Sequence, residues 1–384
     1  MKLALVHDWL NGMRGGEKVL EVLCDLFPEA DLYTLFYEPD RVSEKIRRMN
    51  PRASVLQRFP GARRHYRHYL PLYPWAIGRF DMSPYDVVIS SSHCAAKGVR
   101  LDPRQIHICY CHAPMRYVWE QFEAYFGGPN RWRLSSLAMR LCRGWLRRWD
   151  VATAKAVHGF IANSKTVADR IARYYGREAA VVYPPVDTDR MRIVECGIRN
   201  AESGMRNAET ARKTETGGYF LIVAALVPYK RIDLAVEACA HTGRPLWIVG
   251  EGPERRRLER QAGPHARFFG WVSDDELVAL YNGCRALIFP GEEDFGITAV
   301  EAQACGQPVI AFRKGGVVET VLDGRTGLFF DAPTVESLCE TLATFDRTVF
   351  DRHVIRAQAE RFGGDRCRRE LDATIREILR QHGS

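Results

Sequence analysis

The chain has 384 residues, 46% hydrophobic and 27% charged, enough for two domains with full cores and ordinary for a globular protein. Its longest apolar run, 219–229, falls short of the roughly 20 residues that a membrane-spanning helix needs. The net charge of +8 is uneven: residues 1–190 hold 29 Lys and Arg against 19 Asp and Glu, the remainder 26 against 28. The amino-terminal half therefore carries the basic excess, which suits an acidic surface or ligand. The eleven cysteines include no CxxC pair and read as reduced thiols of a cytoplasmic protein.

Leu3-Ala4-Leu5-Val6, cut short by His7-Asp8, reads as a first strand and not as a secretory leader. Asn11-Gly12-Met13-Arg14-Gly15-Gly16 is a glycine-rich loop, and Val19, Leu20, Val22, Leu23 and Leu26 give 17–27 a helical period. The glycines do not match GxGxxG, so a dinucleotide site is not indicated. Gly15 and Gly16 either permit a tight turn or let backbone approach a phosphate. Residues 31–37 read as a second strand. Residues 41–80 then hold ten Lys and Arg, one acidic residue and many aromatics, Arg63-Arg64-His65-Tyr66-Arg67-His68-Tyr69 among them. Two readings remain open: a solvated basic face with a partly buried aromatic cluster, or a surface for anionic lipid head groups. No nucleic-acid module accompanies the charge, so nucleic acid is not an expected partner.

Strands are expected at 85–90 and 105–111, the second ending in His112-Ala113-Pro114. Cys109-Tyr110-Cys111-His112, with His107, is the one cluster that suggests a metal; without a second ligand pair it reads as buried thiols on a core strand. Residues 132–149 have helical character, with Leu134, Leu137, Leu141 and Trp145 on one stripe and Arg133, Arg140 and Arg147 on another. A helix packed on the amino-terminal core is the plain expectation, and a membrane-surface helix the alternative. Residues 159–162 form a strand, Asn163-Ser164 caps a helix, and 180–183 ends the first domain. Pro184-Pro185-Val186-Asp187 reads as a stiff exit. Residues 188–217 are polar and carry a short repeat, Ile198-Arg199-Asn200-Ala201-Glu202 recurring as Met205-Arg206-Asn207-Ala208-Glu209. They read as a linker insertion without chemistry.

The second domain, 218–355, opens with strand 219–225 and a loop carrying Lys230 and Arg231. Leu246-Trp247-Ile248-Val249 precedes Gly250-Glu251-Gly252-Pro253, and Phe269-Gly270-Trp271-Val272 precedes an acidic helix start. Ala286-Leu287-Ile288-Phe289 reads as a buried strand stopped by Pro290-Gly291, with a helix beginning near Ile297. The acidic pair Glu292-Glu293 thus lies on a strand-to-helix loop at a strand's carboxyl end, where open α/β sheets hold ligands. The amides of Gly296, Ile297 and Thr298 would point out of the helix's first turn, a place that stabilises phosphate. Glu301, a turn deeper, could accept hydrogen bonds from a ribose diol, and Glu293 would face whatever hangs from the phosphate. Arg313-Lys314-Gly315-Gly316 is a second glycine pair before a helix.

Glu293 and Glu301, with seven residues between them and Phe295-Gly296 among these, resemble the E-x7-E signature of retaining family 4 glycosyltransferases. Lys230 after Val227-Pro228-Tyr229, Gly250-Glu251-Gly252-Pro253 and Phe269-Gly270-Trp271-Val272 follow in that family's order. The resemblance implies an α/β architecture of two facing Rossmann-like domains with parallel sheets (GT-B), and a final segment, 356–384, crossing back to the first domain. It implies a nucleotide-sugar co-substrate held largely by the second domain, and no cofactor. Lys230 would take the diphosphate, Glu293 the sugar hydroxyls, and Trp271 and Val272 the base, with Gly250, Gly252, Arg231 and Phe295 around the donor. His112 would contact the transferred sugar, and the Gly15-Gly16 pair would let backbone approach the donor phosphate. Protein cations would replace a metal, in keeping with no DxD-like carboxylate pair being placed for one. One departure stands out: many such enzymes carry an arginine five residues before the lysine, and here that residue is Ala225. His7-Asp8-Trp9 with Gly15-Gly16-Glu17 looks most like bacterial mannosyltransferases of O-antigen and related surface polysaccharides. GDP-mannose is the donor this implies, with a UDP-sugar the alternative. The acceptor would be an oligosaccharide or lipid-linked sugar, reached at the inner face of the plasma membrane through 41–80 and 131–149. A non-catalytic nucleotide-sugar binder would keep the basic face without needing Glu293, Lys230 and His112 together.

Overall fold

The computed structural model describes residues 1–62, 66–127, 134–194 and 218–383. The repeat at 198–209, the arginines at 63, 64 and 133, and His65 lie outside the described residues. The chain forms two compact units, Met1–Pro185 with Gly364–Ser384, and Val186–Gly363.

In the first unit the described strands are β1 (Leu3–His7), β2 (Asp31–Thr34), β3 (Arg52–Ala53), β4 (Val87–Ser92), β5 (Ile106–Cys111), β6 (Gly159–Ala162) and β7 (Ala179–Val181). They make one parallel sheet in the order β3-β2-β1-β4-β5-β6-β7. A parallel sheet is covered on both faces, which is why its strands read as unbroken apolar runs. Leu3 and Leu5 enter one core cluster, and Ala4 and Val6 the other. On β5, Ile108 and Tyr110 face one way while Cys109 and Cys111 face the other, so the paired thiols are core packing. The second strand stops at Thr34, short of 37. Beyond it, Leu35 donates to Asp8 O and Glu38 to Leu10 O, a looser pairing that bends away from the ladder.

The helix Leu134–Ala154 turns Met139, Leu146, Asp150 and Ala154 inward. The helix packs on the core as expected, but Leu137, Leu141 and Trp145 of the apolar row read from the sequence are exposed, Leu141 at 78%. Two apolar stripes share this helix, and the one with the larger side chains faces out. In 41–80, Tyr73 and Leu70 are fully buried and Tyr66 and Tyr69 pack on the same core, leaving Trp75 and Leu72 exposed. The helix Gly364–His382 closes this unit: Cys367, Leu371, Ile375 and Ile378 join the cluster formed by β1, β4 and β5.

The second unit holds β8 (Tyr219–Val223), β9 (Leu246–Val249), β10 (Ala266–Gly270), β11 (Cys284–Phe289), β12 (Val309–Phe312) and β13 (Gly327–Phe330), all parallel, in the order β10-β9-β8-β11-β12-β13. The helix Arg352–Glu360 belongs here. Its Ile355 and Ala359 are buried, and the Arg356 guanidinium donates to the carbonyls of Thr188, Met191 and Ala304. The chain consequently re-enters the first unit at Gly364, later than the expected 356. Each sheet reverses its winding once, between β1 and β4 and between β8 and β11. Ligands of open α/β sheets bind outside the carboxyl ends of the strands at such a point.

Candidate active site

Around the β8/β11 reversal, three loops are fitted backbone to backbone. At Gly250 and Gly252 a Cβ would lie 2.0 Å from Ala224 O and 2.3 Å from Leu226 O. Leu226 N donates to Glu251 O at 3.0 Å. These glycines therefore let the loop after β9 lie against the loop after β8; their missing side chains open no space for a ligand. Gly291 does the same on the other side, where a Cβ would meet Lys230 Cα at 2.8 Å. Lys230 ends a short turn, Pro228–Lys230, and its ammonium forms an ion pair with Glu293 in which both side chains are mostly buried. A crevice between the two strand ends is lined by Ala224, Lys230, Phe289, Gly291 and Glu293. The two charged groups expected to act together are thus in contact.

Arg231 is different. It has a left-handed backbone (φ 49°), and its guanidinium turns to Asp233 in the following helix at 3.3 Å. It is engaged there and not beside Lys230, and Ala225 is exposed. The second glycine pair holds the acidic loop. Gly316 N donates to Glu293 O at 2.9 Å, and a Cβ on Gly315 or Gly316 would lie 2.3 Å from the carbonyl oxygens of Glu293 and Asp294. Phe295 is buried, its ring 5.7 Å from that of Phe362. It anchors the loop to the interior. Gly296 takes φ 90° and caps the helix Ile297–Ala304, whose first-turn Ile297 and Thr298 are half-exposed. Glu301 accepts from the Tyr281 hydroxyl at 2.9 Å. Burial pushes the Glu301 carboxyl above the ordinary carboxylate range, opposed by the Tyr281 hydrogen bond and by Arg190. After β10, Val272 is half-buried and Trp271 is 82% exposed, an apolar ring left in water.

In the first unit, the β1/β4 reversal gathers three imidazoles. The ring centroids of His7, His93 and His112 lie 6.1–6.4 Å apart. Asp8, fully buried, accepts from the backbone amides of His93, Cys94, Ala95 and Ala96 at 2.6–2.9 Å, which fixes the loop after β4. His112 stands at the end of β5, with Nε2 2.8 Å from Ser91 Oγ. Burial drives the His112 and His93 pKa values well below the usual imidazole range, so both rings are neutral. Gly15 and Gly16 open the helix Gly15–Leu26 without positive φ, so turn geometry does not require glycine there. What Gly16 provides is closeness: its Cβ position is 3.5 Å from His7 and 3.6 Å from His112. The sequence reading passed over Asp8, Ser91 and His93 as site residues. Only the adjacency of His7-Asp8 to the glycine loop hinted at the first, and nothing local marks the other two. Among the described residues no three His, Cys, Asp or Glu side chains are grouped as metal ligands.

Two family profiles match the chain: "Glycosyltransferase Family 4" over residues 13–190 and "Glycosyl transferases group 1" over residues 206–360. Each half of the chain is thus similar to a glycosyltransferase profile. Among curated relatives, the D-inositol 3-phosphate glycosyltransferase of Acidothermus cellulolyticus is 33% identical over 200 residues, covering 46% of this chain and 43% of its own length. The GDP-mannose-dependent alpha-(1-6)-phosphatidylinositol monomannoside mannosyltransferase of Mycolicibacterium smegmatis is 32% identical over 200 residues, covering 46% and 49%. The matches therefore span half or less of these relatives. The crystal structure of Anabaena HepE in complex with UDP aligns with a TM-score of 0.68 at 17% identity, covering 98% of this chain and 100% of that one. That likeness shows the fold: the two parallel-sheet units of this chain are those of the GT-B architecture.

Proposed function

We propose that the protein transfers a hexose, mannose from GDP-mannose, onto an oligosaccharide or lipid-linked acceptor with retention of configuration. The observation that carries this reading is the Lys230–Glu293 pair at the β8/β11 reversal, next to the helix start at Gly296. In the reaction the acceptor hydroxyl oxygen bonds to the anomeric carbon as the bond from that carbon to the diphosphate breaks. The hydroxyl proton passes to the departing diphosphate oxygen. Negative charge grows on that diphosphate, and a preorganised cation with helix-end amides stabilises it. Lys230 supplies the cation when it leaves Glu293, and Glu293 is then released to accept from sugar hydroxyls. Glu301 accepts from the ribose, and the exposed Trp271 with Val272 receives the base. With these groups present the reaction proceeds without a metal, so chelators leave it unchanged.

Support for GDP-mannose comes from the relative that uses it and from the His7-Asp8-Trp9 and Gly15-Gly16-Glu17 pattern. HepE, by contrast, is known with UDP and UDP-glucose, which keeps a UDP-sugar as the second reading. Calorimetric titration decides between them: GDP is expected to bind at least about tenfold tighter than UDP, a difference of ~1.4 kcal/mol. Tighter binding of UDP sinks the mannose assignment. For the acceptor side, the exposed row Leu137, Leu141 and Trp145, bordered by exposed Arg140 and Arg148, fits the head-group layer of an anionic membrane. Trp75, with the Arg79 guanidinium 5.3 Å above its ring, adds a second such element. No described helix is long and apolar enough to cross a membrane.

A further inference from the structure

We propose that Glu17, His7 and Ser91 form a positioning chain that fixes which ring nitrogen of His112 carries the proton, so that His112 presents Nδ1 as a hydrogen-bond acceptor. The inference rests on the reading above in taking His112 to touch the transferred sugar. Ser91 Oγ lies 3.0 Å from His7 Nδ1 and 2.8 Å from His112 Nε2, with all three side chains buried. A hydroxyl has one hydrogen, so it donates to one ring and accepts an N–H from the other. Geometry at Ser91 alone allows either direction.

His7 Nε2 decides between them. This atom is buried and has no hydrogen-bond partner among the described residues, and Glu17 Oε1 lies 3.9 Å away. A lone pair aimed at a carboxylate is repelled and an N–H is attracted, and inside a protein that difference is large. The His7 proton therefore sits on Nε2. His7 Nδ1 is then the acceptor, Ser91 donates to it, and Ser91 in turn accepts from His112 Nε2–H. His112 Nδ1 is left with a lone pair and no hydrogen bond to any described residue, free to accept from a sugar hydroxyl. The remaining acid nearby does not compete, because Asp8 is occupied by four backbone amides and by His93 Nδ1 at 3.1 Å. Glu17 is itself held, accepting from Arg14 N at 3.0 Å at the start of its helix.

The test is long-range 1H–15N correlation of the histidine side chains in the full-length chain, with His7 and His112 assigned by single substitution. Wild type is expected to show His112 protonated at Nε2 and bare at Nδ1. Glu17→Gln keeps the contact to Arg14 N but removes the charge, and part of the His112 population then moves its proton to Nδ1. Ser91→Ala does the same, and Ser91→Thr restores the wild-type signature. In both disruptive variants kcat falls about tenfold, the worth of one net hydrogen bond, while the donor KM stays within about twofold. A wild-type His112 carrying its proton on Nδ1, or a tautomer unmoved by Glu17→Gln, overturns the proposal. The spectra need no turnover. A chain that shows the expected tautomers yet transfers no sugar upholds the positioning chain and defeats the proposed function instead.

Discussion

At the scale of single residues, Lys230 and Glu293 neutralise each other when no donor is bound. A nucleoside diphosphate must compete with Glu293 for the ammonium. Glu293→Gln is therefore expected to bind GDP at least as tightly as wild type while kcat falls a hundredfold or more, about 2.7 kcal/mol. Lys230→Ala is expected to lose about 1.5–3 kcal/mol of nucleotide affinity, the range for a hydrogen bond to a charged group. Calorimetry and initial rates on the two variants check both. Glu301 adds a pH dependence. Its folded-state pKa is raised, so the folded protein holds this proton more tightly than the unfolded chain, and the group lowers stability once pH climbs through the unfolded value. Binding follows the opposite sense: a ribose diol needs the carboxylate, so GDP affinity falls on acidification, beginning above the ordinary glutamate range. Titration across pH should show this in wild type and a flat profile in Glu301→Gln. Much of this residue-level picture was legible in the chain, because Glu293, Gly296 and Glu301 lie on one loop and one helix turn. Where Arg231 and Phe295 pack was not legible, because adjacency to a site residue says nothing about which way a side chain points. The histidine cluster was hidden for another reason, since Asp8 and His93 meet only when β1 and β4 pair.

At the scale of elements, the glycines are where loops touch. Gly316→Ala puts a methyl group 2.3 Å from Asp294 O and 2.5 Å from Phe295 Cα, both backbone atoms that cannot rotate aside. The expected cost is about 1–3 kcal/mol in a urea melt, with turnover reduced because Glu293 moves with its loop. Strand existence and order of appearance were readable from apolar runs broken by Gly, Pro and Asp, and the alternation along β1 and β5 matches two covered faces. Which side of the helix Leu134–Ala154 packs was not readable. Leu137, Leu141 and Trp145 outweigh Met139 and Leu146 in apolar size, so a periodicity argument chooses the wrong stripe. The competing term is the buried Lys97–Asp150 pair: Asp150 also accepts from Trp119 and Tyr175, and it draws the opposite face inward.

At the scale of the whole molecule, the basic excess of residues 1–190 and the exposed apolar row lie in the same unit. Sedimentation with phosphatidylglycerol vesicles is expected to carry the protein down at low salt, to release it as ionic strength shortens the Debye length, and to fail against neutral lipid. Replacing Leu141 and Trp145 by Ser should weaken that association without lowering the melting temperature, since both side chains are already in water. The first unit ends at Pro185, within the Pro184-Pro185-Val186-Asp187 stretch read as its exit. The return at Gly364 was not foreseeable, because the contacts that keep Arg352–Glu360 with the second unit join residues far apart in the chain.

That return has a consequence for biosynthesis. The core around β1, β4 and β5 includes Cys367, Leu371, Ile375 and Ile378, so that core lacks one wall until the helix Gly364–His382 leaves the ribosome. The sheet β8–β13 is synthesised in between, while the earlier sheet waits with an apolar flank uncovered. A translation pause or frameshift late in the message would strand that flank in water, and chaperones would meet a nascent chain whose oldest segment is the last to be sealed.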